Sequence, residues 1–446
     1  MKTTLLIIYN RLITLICKIF KRNGSVFPGS LVNKHDKNIL RKIKYPKYVI
    51  GITGSSGKGS TTSLVAYVLE KSGYKVVWNK SGSNLINAAT TLILNNTNPI
   101  TKKVNADILL MELDESYISQ IFDKNTITHL LITNITRDQP ARNGHPEIIL
   151  NKIINSIGDN THVIINVDDP FLNRIKYTHH GLVTTYGVNK TKYDSVEPIN
   201  NSIDASYCPI CGKKLKYNYY HTGHIGKYKC LNCDFDRNKA NFEAKDVDLK
   251  KQFITINDSI YHINKDVFFA VYYTLAAYSL LKTIGINDNI LKKYLNEEPL
   301  QSKRMKEYYI DNRKVNMIES KNENNLSYYE SLHYIREQHT KKTVILGFDN
   351  VSRRYNLNDL SWLYDVNFEM LNDKYIDKIF IIGRFRYDVL TRLNYANIDK
   401  DKLVLIDNID TLIERVKKES VGNIYTMVCF DMTEIIKKMI LEDNNG

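Results

Sequence analysis

Between Tyr48 and Gly73 the chain reads YVIGITGSSGKGSTTSLVAYVLEKSG. An apolar run of strand length meets a glycine- and serine-rich turn that carries a lysine. Apolar residues then recur at helical spacing (Leu64, Val65, Val68, Leu69) until Gly73. This order dictates a buried strand, a tight turn and a helix. It is the context in which backbone N–H groups and a helix N-terminus cradle phosphate. Gly54, Gly57 and Gly59 let the backbone come close to phosphate oxygens. Lys58 is expected on the β/γ-phosphates, and a hydroxyl from Ser60 or Thr61 at Mg²⁺. The strict G-x-x-x-x-G-K-[ST] spacing is not met, because Ser56 and Gly59 interrupt it. A turn without a ligand is the plain alternative, and the strand–turn–helix context argues against it.

Three further strands are expected to end in polar groups. ADILLME runs from Ala106 to Glu112 and continues into Asp114 and Glu115. HLLITN ends at Asn134, ahead of Arg137–Gln139, and VIINVDDP carries Asp168 and Asp169. Apolar strands alternating with helices imply a doubly wound parallel sheet, with ligand groups at the strands' carboxyl ends. Glu112, directly at such an end, suits Mg²⁺.

Cys208-x2-Cys211 and Cys230-x2-Cys233 are separated by 18 residues. Two such pairs read as a zinc ribbon. Four thiolates close a tetrahedral shell, so the zinc would be structural. His221 and His224 lie between the pairs and are expected at the surface. Cys17 and Cys429 fall in apolar runs and read as core residues.

The chain has 446 residues, which suggests about three domains at roughly 150 residues each. Its formal charge is +14, with 62 Lys+Arg against 48 Asp+Glu. That balance invites a nucleic-acid partner. A Lys-, Asn-, Ile- and Tyr-rich composition explains it without one. Residues Met1–Arg22 resemble a signal peptide only superficially, since Arg11 interrupts the apolar run and no small-residue cleavage site follows. The stretch is also too short and too charged to span a bilayer. Leu5, Ile8, Leu12, Leu15 and Ile19 form a helical stripe, expected to pack on the protein body. The alternative is a basic helix lying on an anionic membrane. No later stretch is a transmembrane candidate, so a cytoplasmic or membrane-peripheral protein is expected.

From about Gln301 a second α/β unit begins. TVILGF, KIFIIG, KLVLID and YTMVCF are its strand candidates, and Asp349-Asn350 ends the first.

Taken in order, these motifs resemble the Mur ligases and folylpolyglutamate synthases. Within them the resemblance is to the ligase-like subunits that amidate the glutamate α-carboxyl of a lipid-linked cell-wall precursor. FPGSLVNKHDKNILRKI matches the family's lead-in helix. KSGSNL, ELDES, TNITRDQ and NVDDP follow in the family's order. The ribbon matches an insertion that ordinary Mur ligases lack, and DLSWLYDVNFEML resembles the signature of these subunits' C-terminal domain.

The resemblance implies a fold and a division of the chain. Residues 1–45 would be a helical lead-in, and 46–300 a central ATP-binding domain with parallel sheet and the ribbon at 206–237. Residues 301–446 would be a C-terminal α/β domain. It also implies chemistry: ATP phosphorylates a carboxylate, and ammonia attacks the acyl phosphate. Glu112 matches the Mg²⁺-binding acid, Asn134 and Arg304 match nucleotide-site positions, and Asp349 matches an aspartate that completes the triad of a separate class I glutaminase partner. Lys58, Glu112 and Asp349 are thus the expected catalytic set. Nucleic acid is not an expected partner.

The sequence departs from the family in several places. GSSGKGSTT is closer to the folylpolyglutamate synthase loop. Ala270 and Tyr273 stand in VFFAVYY where asparagines near the adenine are usual. NENN (Asn322–Asn325) replaces an N-P-A-G segment, and Arg353 stands where a further aspartate is common. Two other functions fit parts of the pattern: a stand-alone amino-acid ligase acting on a cell-wall or related peptide, and a nucleic-acid-binding or scaffold protein. A stable glutaminase complex, amino-acid-dependent ATP turnover and salt-sensitive nucleic-acid binding separate the three.

Overall fold

The computed structural model describes residues 2–80, 82–139, 143–198, 204–264, 267–297, 305–319, 324–349 and 359–443. The chain forms two compact units. The first comprises residues 1–136, 145–197 and 204–300, and the second residues 137–144, 198–203 and 301–446.

Among the described residues, the first unit is built on a nine-stranded sheet and a two-stranded hairpin. β1 (Tyr48–Thr53), β2 (Val76–Trp78), β3 (Ile108–Glu112), β4 (His129–Ile132), β5 (His162–Asn166) and β6 (Val183–Val188) are parallel. β7 (Leu215–Thr222) and β8 (Ile225–Cys230) form a separate hairpin, which is the ribbon. β9 (Phe242–Asp248) rejoins the large sheet parallel to β6, and β10 (Phe253–Ile256) and β11 (Ser259–His262) extend it antiparallel. The order is β11-β10-β9-β6-β5-β4-β1-β3-β2. The central strands are buried on both faces, which explains their unbroken apolar runs. α1 (Lys2–Ile19), α2 (Phe27–His35) and α4 (Ile86–Asn95) contribute to the core on one face. α3 (Lys58–Lys71) and the helix Phe268–Thr283 contribute to the core on the other.

One expectation is reversed. The side of α1 that packs inward carries Leu6, Ile7, Asn10, Ile13 and Cys17. Leu5, Ile8, Leu12, Leu15 and Ile19 are exposed instead. The helix is apolar on two sides, and its buried side includes an asparagine and a threonine-lined edge. The denser stripe therefore points away from the core.

The second unit has six strands: β12 (Met305–Ile310), β13 (Arg313–Glu319), β14 (Lys342–Gly347), β15 (Ile376–Ile382), β16 (Leu403–Leu405) and β17 (Asn423–Val428). They stand in the order β12-β13-β17-β14-β15-β16, parallel except for β12 against β13. The expected strands TVILGF, KIFIIG, KLVLID and YTMVCF are β14 to β17, within a few residues at each end. Within this unit Arg137 pairs with Asp365 at 2.7 Å, and Asn324 donates to Asp138 at 3.0 Å. The TNITRDQ and DLSWLYDVNFEML motifs therefore meet.

His129 on β4 and His162 on β5 stack, with ring centroids 5.5 Å apart. Burial, reinforced by the neighbouring imidazole, pushes His129 down to about 4 from its ordinary 6.5. His162 is lowered too, by burial and then by His179. A depressed histidine favours the folded state while it is neutral. Its contribution is full above pH 6.5 and is lost as pH falls towards 4, because the unfolded chain takes the proton first. Denaturant titrations should show stability falling by up to about 1.4 kcal/mol per pH unit across that window. His129→Gln should flatten the slope.

Candidate functional site: a phosphate loop and a thiol quartet

The turn after β1 is fixed from β4. The Ser55 N–H donates to the Asn134 carbonyl at 2.8 Å, and the Ser56 N–H to Asn134 Oδ1 at 3.0 Å. Asn134 Nδ2 and the Thr133 hydroxyl both donate to the Ser56 carbonyl, at 3.1 and 2.6 Å. Gly54 has φ +125, and a Cβ there would stand 2.3 Å from Thr133 Oγ1. Gly57 caps α3 with φ +83, and a Cβ would meet the Phe269 ring at 2.9 Å. Only glycine fits either position. α3 begins at Lys58, so the loop opens onto a helix N-terminus.

Lys58 is buried. Its ammonium pairs with Glu115 at 2.6 Å and also donates to the Gly54 carbonyl. A phosphate entering this loop competes with Glu115 for the lysine. Glu112 ends β3 beside the same loop, with its Oε2 3.4 Å from where a Gly59 Cβ would stand. Asn79 holds the backbone of Glu112 at both edges, accepting from its N–H and donating to its carbonyl, each at 2.9 Å. Gly54, Gly57, Lys58, Gly59, Ser60, Thr61, Glu112 and Asn134 are thus gathered in one corner. Of the two hydroxyls expected at Mg²⁺, Thr61 is buried and donates to the Gly57 carbonyl at 2.9 Å. Ser60, half-buried, is the better placed of the two. A carboxylate and a hydroxyl beside a phosphate loop fit the hard-oxygen preference of Mg²⁺.

Asp349 follows β14 in the second unit. It is half-buried, and its N–H donates to Cys429 Sγ at 3.4 Å. Arg304, Asn350 and Arg353 lie outside the described residues, as do Asn322 and Glu323 of NENN. Asn324 caps the following helix by accepting from Ser327 N–H at 2.8 Å. Ala270 and Tyr273 lie buried in the helix Phe268–Thr283, and the Tyr273 hydroxyl bonds Asn264.

The four ribbon sulfurs lie within 4.8 Å of one another. Cys208 and Cys233 are 3.6 Å apart, and Cys211 and Cys230 3.5 Å. Thiolates around zinc at about 2.3 Å would stand roughly 3.8 Å apart. The set fits a closed four-thiolate metal site. A backbone N–H from Lys213 leads in drawing Cys211 down to about 6, whereas burial and the neighbouring thiols outweigh the Phe235 N–H and push Cys233 up to about 12. Four crowded thiols cannot all ionise without a cation between them.

His221 and His224 are not surface residues. Both are buried, His221 within β7 and His224 in the turn between β7 and β8. His221 Nδ1 bonds Asp194 at 2.6 Å, and His224 Nε2 bonds Asp169 at 3.2 Å. Asp168 is held by Arg237 Nε at 2.7 Å, the Val188 N–H at 2.7 Å and the Tyr272 hydroxyl at 2.9 Å. Asp169 also accepts from the N–H groups of Ile135 at 2.7 Å and Phe171 at 2.9 Å. These aspartates brace the fold rather than facing a metal. Sequence reasoning missed Asn79, Phe269 and Arg237, and gave Glu115 no role. The one local signal was a polar Asn79 directly after the short apolar run VVW.

A parallel sheet with a glycine loop, a buried lysine and a strand-end acid defines a phosphate-loop ligase fold, and residues 52–233 match the Mur ligase middle domain. Over that stretch the chain is similar to the Mur ligases. Residues 322–432 match the MurT ligase C-terminal family. The chain is 29% identical over 383 residues to the lipid II isoglutaminyl synthase (glutamine-hydrolyzing) subunit MurT of Staphylococcus aureus, covering 85% of this chain and 84% of that one. It is 24% identical to the Streptococcus pneumoniae subunit of the same name, covering 91% and 90%. Its similarity to these MurT subunits runs over most of the chain. The fold also matches a pseudomurein peptide ligase type C from Methanothermus fervidus, with a TM-score of 0.68, 18% identity, and 93% and 83% coverage.

Lys58→Ala should lower nucleotide affinity by about tenfold or more, since a charge-assisted contact to phosphate is worth at least ~1.5 kcal/mol. Calorimetric titration with ADP and Mg²⁺ measures this, and unchanged affinity would remove the loop from the site.

Proposed function

We propose that the chain is the ligase subunit of a glutamine-fed enzyme that amidates the glutamate α-carboxyl of a lipid-linked cell-wall peptide precursor. The observation that carries this reading is the union of a Mur ligase middle domain with a MurT-type C-terminal region in one chain. The work is placed in the cytoplasm, at the membrane periphery where such a precursor resides.

The substrate carboxylate oxygen attacks the γ-phosphorus of ATP, and ADP leaves. Ammonia then adds to the acyl carbon of the acyl phosphate, inorganic phosphate leaves, and the nitrogen loses a proton to give the amide. Lys58 and the N-terminus of α3 neutralise charge that builds on the transferring phosphoryl group. Glu112 and Ser60 would hold Mg²⁺, which would supply further neutralisation of phosphate charge. Gly54, Gly57 and Gly59 leave room for phosphate oxygens, and Asn134 keeps the loop open by bonding Ser56. Arg304 is assigned to the nucleotide by its match to the family position.

Ammonia would come from a class I glutaminase partner in a heterodimer. Asp349 would complete that partner's triad, holding its histidine in the productive tautomer. The strand-end position of Asp349, anchored through its own N–H, suits a residue offered to another chain.

The test is reconstitution. The chain, co-expressed with its glutaminase, should convert lipid-linked muropeptide, ATP and glutamine to the amide. An intact complex without amide product overturns the reading. ATP turnover by the lone chain that depends on an added amino acid would assign it as a stand-alone ligase. Asp349→Asn should cut glutamine hydrolysis by the complex about a hundredfold or more, a loss in line with triad orienting residues, and leave ADP affinity unchanged.

The thiol quartet is assigned to structural Zn²⁺. The purified chain should carry about one zinc, absent in Cys230→Ser. Zinc release should increase as pH falls, because protons compete with the metal for the thiolates, and a chromogenic chelator follows it.

A further inference from the structure

α1 is apolar on two sides, and only one is used by the fold. Its inner side is anchored by more than packing. Asn10 Nδ2 donates to the Thr91 carbonyl at 3.2 Å and to Asn95 Oδ1 at 2.8 Å. Arg11 donates to the Thr97 carbonyl at 2.6 Å, and Thr4 to the Pro99 carbonyl at 2.9 Å. These bonds fix the helix's rotation, so its outer side is fixed too. That side carries Leu5, Leu12, Leu15 and Ile16 at 51–59% exposure, Ile8 at 41%, and Ile19 and Phe20 at 68 and 71%. A contiguous apolar stripe of this length is rare on a surface that faces only water.

The charge around it has one sign. Residues 1–35 contain six Lys and Arg (Lys2, Arg11, Lys18, Lys21, Arg22, Lys34) and no Asp or Glu. Lys2, Lys18, Lys21 and Arg22 are exposed. No helix among the described residues is long and apolar enough to cross a membrane. A second copy of the chain is a poor occupant. Stacking two such faces would bring two cationic flanks together with no acid on either to pair them. An anionic bilayer satisfies both features. Its acyl boundary takes the apolar stripe, and its headgroups take the flanking cations, whose stems lie along the stripe while their charges reach outward.

We propose that α1 is a membrane-docking helix, which lies flat on an anionic bilayer with Leu5, Ile8, Leu12, Leu15, Ile16, Ile19 and Phe20 inserted at the headgroup boundary. The lipid-linked substrate reading supplies only its purpose, to hold the ligase at the surface where its substrate sits. Plain vesicles without that substrate test the docking, so each reading can fail alone.

The experiment is co-sedimentation of the full chain with phosphatidylglycerol or phosphatidylcholine vesicles. Binding to the anionic vesicles should be about tenfold or more tighter than to the neutral ones and weaken with salt. Leu12→Glu/Ile16→Glu should reduce it by about tenfold or more, with the melting temperature and ADP affinity unchanged, because both positions face away from the core. Lys18→Glu/Lys21→Glu should reduce binding and its salt dependence together. Wild-type chain left in solution with anionic vesicles overturns the proposal. So does equal sedimentation of wild type and Leu12→Glu/Ile16→Glu. Self-association that this double variant abolishes, without vesicle binding, would assign the face to a second copy instead.

Discussion

Two aspartates closed off from water stand at the end of β5, and much of the first unit is arranged around them. A buried carboxylate is tolerated only when its oxygens are matched by donors and charge. Asp168 and Asp169 find theirs in parts of the chain far apart in sequence. Arg237 comes from the exit of the ribbon, His224 from its hairpin, Tyr272 from the long buried helix, Val188 from the end of β6, and Ile135 from the segment that follows β4. Arg237 is itself shared with Glu243, which belongs to β9. The same two side chains therefore set the ribbon on the sheet, direct the chain from the ribbon into β9, and hold the segment beside Asn134. Breaking such a buried pair from one side costs about 3–5 kcal/mol, because the remaining charge is left without compensation.

The arrangement puts the thiol quartet and the phosphate loop on one continuous path of bonds. From the hairpin the path runs through His224 and Asp169 to the Ile135 N–H, and its neighbour Asn134 bonds both sides of Ser56. Burial alone would weaken the charge on His224. The Asp169 carboxylate, helped by Asp204, outweighs it and raises the histidine above its ordinary value. The insertion is thus bonded into the sheet and is more than an ornament on its edge.

What the sequence made legible was local. The β1 strand, its glycine turn and α3 follow from residue spacing and from the backbone freedom of Gly54 and Gly57. The cysteine pairs announce their cluster by spacing alone, and the strand ends at Glu112 and Asn134 by apolar runs that stop at a polar residue. What it concealed was pairing across distance. Nothing near His224 reveals that Asp169 waits 55 residues away, so a polar residue in a lysine-rich hairpin read as solvated. The choice between Ser60 and Thr61 depended on which hydroxyl turns back to Gly57. The inner face of α1 was misread because periodicity locates apolar stripes and says nothing of which one the sheet covers. Arg304, Asn350 and Arg353 were legible only through family resemblance.

The pairing of Lys58 with Glu115 has a consequence for what can enter the loop. Counting Lys58, Glu112 and Glu115 together gives one positive against two negative charges, a formal balance of −1. A bare nucleotide triphosphate would add several negative charges to a corner that already holds a surplus. Among these side chains it gains nothing by Coulomb attraction until it brings a counter-charge of its own. By these side-chain charges alone, the corner would favour a nucleotide that carries a cation over the free polyanion. The lysine then exchanges one anionic partner for another, and the count of charges around it hardly changes.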